Sequence, residues 1–132
     1  MTRRLWRDQM PLTTIVIEDS ETIRENLVSA MAELAGVQVV ATAETVAEGI
    51  AALHEHKDHW QLAVIDLFLG GGTGLSVLRA CRDRLPHQRM VVLTNYATPE
   101  VRRRCLELGA DGVFDKSTEL DAFFELCNSY RA

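Results

Sequence analysis

The stretch TTIVIEDSET, Thr13 to Thr22, decides how this chain is read. Ile15, Val16 and Ile17 follow one another without polar alternation, the pattern of a strand covered on both faces. Glu18 and Asp19 come next, and then an apolar periodicity at Ile23, Leu27, Met31 and Leu34 that predicts a helix ending before Gly36. A buried strand that stops at two adjacent like charges needs something to offset them.

Outward from this stretch the same unit recurs. After a first strand at Thr13–Ile17, apolar runs predict strands at Val37–Ala43, Leu62–Asp66, Met90–Thr94 and Gly112–Phe114. A second helix opens at Thr45 with Glu48 three residues on, a capping box, and carries Val46, Ile50 and Leu53. A third follows Gly74 with Leu75, Leu78 and Leu85, before Pro86. A fourth opens with Thr98 and Pro99, carries Val101, Cys105 and Leu108, and stops at Gly109. The last opens near Ser117 with Leu120, Phe123, Phe124 and Cys127. Strict alternation of five β and five α segments predicts an α/β fold, a doubly wound parallel sheet of five strands with helices on both faces.

The 132 residues are enough for one domain with a core and too few for two ordinary ones. Residues 12–130 show no repeat or linker and read as that domain. Residues 1–11 hold Arg3, Arg4 and Arg7 with no apolar stretch behind them, which reads as an N-terminal tail and not a secretory signal. A net charge of −5 argues against nucleic-acid binding through overall charge. No apolar run approaches the ~18 residues of a membrane span. Cys81, Cys105 and Cys127 are odd in number and widely spaced, as suits reduced thiols in the cytoplasm. Only Lys57 and Lys116 are lysines among fourteen Lys and Arg residues, so Lys116 just past an apolar strand suggests a need for an ammonium there.

In a doubly wound sheet, ligands bind beyond the carboxyl ends of the strands where the strand order reverses. The predicted strands end in Glu18-Asp19, Asp66 and Thr94, and Lys116 follows the fifth. If the order is 2-1-3-4-5, Glu18, Asp19 and Asp66 converge, and three carboxylates so placed need compensation. A hard divalent cation such as Mg²⁺ provides it. Asp66 heads a glycine-rich turn, DLFLGGGTG, open to a small anion, and a carboxylate can attack phosphorus. Thr94 and Lys116 then offer a hydroxyl and a point charge to phosphoryl oxygens.

These motifs resemble the receiver domain of two-component response regulators over about residues 12 to 130. They are the acid pair at Glu18-Asp19, VIDLFL around Asp66, LT at Leu93-Thr94, GADG at Gly109–Gly112 and DKS at Asp115–Ser117. The resemblance implies a flavodoxin-like (βα)5 fold of order 2-1-3-4-5. It also implies phosphorylation of Asp66 by a phosphohistidine on a histidine kinase or phosphotransfer protein. Asp19, with Glu18 behind it, Asp66 and the backbone carbonyl of Phe68 would hold Mg²⁺. A downstream protein partner would read the surface of helix four, strand five and helix five. The ending is similar to short receivers without an attached output domain, which switch or relay a signal and assist only their own phosphorylation.

Four departures from the family pattern stand out. Gly70 takes the place of the usual proline after the acceptor, and Ser117 follows Lys116 where a cis-proline is usual. A cis bond to serine costs about 2.5–4 kcal/mol, so the alternative is a different loop with Ser117 capping the last helix. Val113 stands where the switch aromatic is expected, and Phe114 should face the other side of the strand. Asn95 replaces a small residue. Phe68 and Tyr96 occupy positions that in the family flank the water hydrolysing the acyl phosphate, which suggests a long-lived phosphoform.

Other features have plainer readings. His54, His56 and His59 read as a solvated helix end and not a metal site. Arg102, Arg103 and Arg104 cover more than one helix face, so part of the run is solvation. Two other functions stay open. A flavodoxin-like cofactor domain would need a phosphate cradle where EDSET puts acids. A receiver-like interaction module that is never phosphorylated fits the departures at Asn95, Val113 and Ser117.

Overall fold

The computed structural model describes residues 11–131, so the expected tail falls outside the described residues apart from Pro11. Five strands form the sheet: β1 Leu12–Ile17, β2 Val37–Ala43, β3 Leu62–Asp66, β4 Arg89–Thr94 and β5 Gly112–Asp115. Their spatial order is β2-β1-β3-β4-β5, with all four pairings parallel. The helices are α1 Glu21–Leu34, α2 Val46–Glu55, α3 Gly74–Ala80, α4 Pro99–Glu107 and α5 Leu120–Arg131. This is the predicted doubly wound fold, and its switch point lies between β1 and β3.

Alternation along the buried strands feeds two cores. Ile15, Ile17, Ala63, Ile65, Met90, Val92 and Val113 face Leu53 of α2, Val77 and Leu78 of α3 and Cys105 of α4. Val16, Leu62, Val64, Val91 and Leu93 face Leu27 and Met31 of α1 and Phe123, Phe124 and Cys127 of α5. The period of two sends Val113 and Phe114 to opposite faces, as expected, and Phe114 packs 5.9 Å from the Phe123 ring. The three cysteines are free and buried.

Several local expectations are corrected. Ile23 and Leu34 are exposed, so α1 buries a narrower stripe, at Leu27 and Met31. The third helix stops at Ala80 and Leu85 is exposed. The segment beyond it is pinned instead by side chains. Arg84 Nε donates to Gln88 O (2.8 Å), and Gln88 Nε2 donates to the carbonyls of Lys57 (2.7 Å) and Trp60 (2.9 Å). These bonds satisfy buried polar groups without a helix. Thr45 does cap α2, but Glu48 Oε1 accepts from the Glu44 N–H and not from that of Thr45 itself.

The last helix starts at Leu120, not near Ser117. Asp115 Oδ1 accepts from the backbone N–H of Ser117 (2.7 Å) and of Thr118 (3.2 Å), a side-chain turn that competes with helix at those residues. Ser117 is therefore no cap; its hydroxyl donates to Asn95 Oδ1 at 3.4 Å. Every peptide bond among the described residues is trans, the Lys116–Ser117 bond included.

Candidate functional site

β1, β3 and β4 end side by side, and the crossovers bring the β5–α5 loop over the same edge. Glu18 extends β1 through its N–H to Ala43 O (2.9 Å), which carries its side chain into the interior, 2% exposed. Both its carboxylate oxygens are engaged: Oε1 accepts from the Lys116 ammonium and Oε2 from the Ser20 N–H at 3.1 Å. Asp66 is also buried, and its Oδ1 lies 3.3 Å from Lys116 Nζ. Asp19 faces solvent. One carboxylate oxygen from each of Glu18, Asp19 and Asp66 lies within 4.8 Å of the others. The predicted acid cluster is thus assembled, together with Lys116.

Thr94 is completely buried. Its hydroxyl accepts from the Tyr96 N–H (3.0 Å) and its carbonyl accepts from the Lys116 N–H (3.0 Å). It stands at the strand end behind a depression of about 310 Å³ lined by Glu18, Asp19, Asp66, Phe68, Asn95, Tyr96 and Lys116, among others. Phe68 and Tyr96 meet edge to face at the mouth, ring centroids 5.0 Å apart, and both are exposed.

The loop after Asp66 is a small hairpin in which Phe68–Leu69 pairs antiparallel with Gly72–Thr73. Gly74 N–H donates to Leu67 O at 2.8 Å, which makes that pair hydrogen-bonded. Phe68, one residue on, is paired with Thr73 at the alternate position, where the carbonyl of an antiparallel strand turns out of the ladder. Gly71 closes the turn at φ +79°, a conformation that favours glycine.

The electrostatics follow from crowding. Burial pushes the Asp66 carboxyl up to about 6; Lys116 opposes the rise and the Glu18 charge adds to it. Burial also acts to raise Glu18, but the bonds from Lys116 and Ser20 outweigh it and hold Glu18 below the usual carboxylate range. Asp19 is raised, through lost hydration and its neighbour Glu18. One ammonium against three carboxylates leaves negative charge uncompensated, and every donor is a hard oxygen. That set fits a hard divalent cation.

Some contributors escaped the sequence reading. Arg24 Nη1 donates to the Glu18 carbonyl (2.9 Å) while Nη2 pairs with Glu44 (3.0 Å), tying the β1–α1 loop to the β2–α2 loop. Nothing local marks Arg24, since both partners come from chain turns brought near only by the parallel pairing of β1 and β2. The histidines stay apart from this chemistry: His54 and His59 are exposed at the end of α2, and His56 Nδ1 lies 3.1 Å from Ala52 O. Among the described residues the acid cluster is the sole group of metal-ligating side chains.

A doubly wound domain with an acid cluster and a lysine at its switch point is an α/β domain that presents a polar site at the carboxyl ends of its strands. The family model for the response regulator receiver domain matches residues 14–128, and this chain belongs to that family. It is 37% identical over 107 residues to the acid tolerance regulatory protein ActR of Sinorhizobium medicae, covering 81% of this chain and 53% of that protein. It is 34% identical over 105 residues to the photosynthetic apparatus regulatory protein RegA of Cereibacter sphaeroides, covering 80% and 55%. The chain therefore spans about half the length of the curated relatives it matches.

Solved structures agree on the fold. A chain of the CheX–CheY–BeF3–Mg complex of Borrelia burgdorferi superposes with a TM-score of 0.82 at 15% identity, covering 93% of this chain and 91% of that one. A Burkholderia pseudomallei response regulator with a phosphorylated aspartic acid, calcium ion and citrate superposes with a TM-score of 0.71 at 25% identity, covering 90% and 68%.

Proposed function

We propose that residues 12–130 form a phosphorylation-operated switch of a two-component system, with Asp66 as the phosphoacceptor. The observation that carries this reading is the Asp66 carboxylate at the end of β3, shared with Lys116 and flanked by two further acids. Membership of the receiver family and the phosphorylated aspartate of the Burkholderia relative support it. The donor is a phosphohistidine on a histidine kinase or phosphotransfer protein. An Asp66 oxygen attacks phosphorus, the P–N bond breaks, and its electron pair stays on the imidazole nitrogen, which takes up a proton.

Asp19, Glu18, Asp66 and the Phe68 carbonyl are the residues that would hold Mg²⁺. When bound, it screens the charge between carboxylate and phosphoryl oxygens. Lys116 contributes a second positive charge and is kept within reach by its bond to Glu18. Thr94 offers its hydroxyl to a phosphoryl oxygen once it turns from the Tyr96 N–H. The domain assists its own phosphorylation and acts on no separate substrate.

The readout is a protein partner on the α4–β5–α5 face, in the cytoplasm. No helix among the described residues is long and apolar enough to cross a membrane. Relatives include one named a DNA-binding transcriptional activator, DevR/DosR of Mycobacterium tuberculosis, of which this chain covers 44%. For this acidic domain we assign no direct contact with nucleic acid. A second reading, an interaction module that is never phosphorylated, draws on Val113 at the place of the switch aromatic.

Incubation with Mg²⁺ and acetyl phosphate, followed by intact mass, separates the two. A Mg²⁺-dependent phosphoryl adduct that Asp66→Asn abolishes is the expected result. No adduct from either a small donor or a histidine-kinase donor, together with no Mg²⁺ binding, favours the interaction module.

A further inference from the structure

Arg102, in the first turns of α4, joins three segments that all border the site. Its Nε donates to Ala97 O (2.9 Å) in the β4–α4 loop, and its Nη1 donates to Val113 O (3.0 Å) on β5. Its Nη2 donates to Glu119 Oε1 (2.5 Å) just before α5. The same Glu119 oxygen accepts from the Asp115 N–H (2.9 Å), and Asp115 in turn holds the Ser117 and Thr118 amides. Lys116 sits inside this knot with its own N–H on Thr94 O.

A guanidinium is suited to such a task because its donors sit on three nitrogens and point in fixed, coplanar directions. The three donors of an ammonium radiate from one nitrogen and do not reach acceptors on three separate segments. The contact is half exposed, with side chains 36% and 34% accessible, so its contribution to global stability is small. Its local consequence is larger. Ala97 and Thr94 belong to one short connection, and Glu119 and Lys116 to another. A backbone shift of the Thr94–Ala97 connection toward Asp66 either carries the Arg102 guanidinium along or breaks it from Ala97. The side chain is therefore placed to convert a shift at the strand end into a shift of α4.

We propose that Arg102, through Glu119, is a positioning residue that holds the Lys116 loop over Asp66 and couples the Thr94–Ala97 connection to α4. In this chain the coupling runs through a charged clamp whose acceptor on β5 is the carbonyl of Val113, a residue with no aromatic ring to swing. The clamp rests on the phosphoacceptor reading for its purpose but not for its geometry.

The test compares the wild-type chain with Arg102→Gln, Arg102→Lys and Glu119→Gln by amide hydrogen exchange, thermal melting and the acetyl phosphate assay. Arg102→Gln and Glu119→Gln should speed exchange of the Lys116 amide and of residues 95–98 by roughly tenfold while melting stays near wild type. Both should slow Mg²⁺-dependent adduct formation several-fold. Arg102→Lys should not restore either readout, since charge without the planar fork leaves two acceptors empty. Exchange confined to α4, or rescue by Arg102→Lys, overturns the proposal. The exchange readout needs no phosphorylation, so a wild-type chain that takes no adduct counts against the phosphoacceptor reading alone.

Discussion

Lys116 Nζ stands 3.3 Å from Asp66 Oδ1 and donates at the same time to Glu18 Oε1, so one ammonium serves two buried carboxylates. The pair it serves comes from β1 and β3, and the lysine itself from beyond β5. A charge balance this dependent on one cation has measurable consequences.

Lys116→Met should leave Glu18 and Asp66 facing each other without compensation. Urea unfolding without divalent ions should register a loss of about 2–3 kcal/mol, below the ~3–5 kcal/mol of a fully enclosed pair because the cluster opens to solvent at Asp19. Saturating Mg²⁺ should recover much of the loss. An equal loss with and without Mg²⁺ would mean that the three acids share no cation site.

Asp66→Asn should behave in the opposite sense and raise stability at pH 7, without divalent ions, by about 1–2 kcal/mol. The folded-state value of about 6 lies above the ordinary 3.8, so the folded chain binds the proton more tightly than the unfolded one. Wild-type stability should therefore gain from this group as pH falls through about 6, with the gain complete near 3.8. Melting curves across that window test the sign: the variant should lack this gain, and its advantage should shrink as pH falls.

Gly74→Ala should cost about 2–3 kcal/mol and slow phosphorylation. A Cβ at Gly74 would lie 2.3 Å from the Asp66 carbonyl oxygen and 2.9 Å from Ile65 Cγ2. Backbone cannot give way as a flexible side chain would, so α3 and the acceptor loop must move apart. An alanine variant that melts and labels like wild type would show that this close approach carries no weight.

Phe68→Asn should shorten the life of the phosphoform. The Phe68 and Tyr96 rings, 5.0 Å apart, crowd the mouth where the hydrolytic water must approach. Replacing one ring by a polar side chain should speed loss of the phosphoryl group roughly three- to tenfold, equivalent to about 1 kcal/mol of barrier. Decay of the adduct followed by intact mass gives the answer, and unchanged decay removes the rings from the mechanism.

How much of this was legible beforehand depends on the range of the forces involved. Buried runs such as Ile15–Ile17 and Leu62–Ile65, separated by helical periodicities, are local patterns, and they determined the element order, the parallel sheet and the strand ends carrying Glu18, Asp19, Asp66 and Thr94. Lys116 was legible for the same reason, as the lysine at a strand end. Helix limits were less so. Leu85 fits the third helix by spacing, yet Gln88 Oε1 accepts from the Leu85 N–H and Arg84 Nε donates to Gln88 O. The same two side chains anchor the segment to the carbonyls of Lys57, Trp60 and Gly109.

The fine structure of the site was a tertiary decision. Whether Ser117 capped a helix depended on Asp115, whose carboxylate reached the Ser117 and Thr118 amides first. The Arg24 link to Glu44 and the Arg102 link to Ala97, Val113 and Glu119 join loops from different crossovers. A side chain's periodicity states which face it occupies, but not which of several nearby acceptors it meets. That choice is made by strand register and loop approach, because hydrogen bonds demand a few tenths of an ångström where hydrophobic burial demands only the correct side of a sheet.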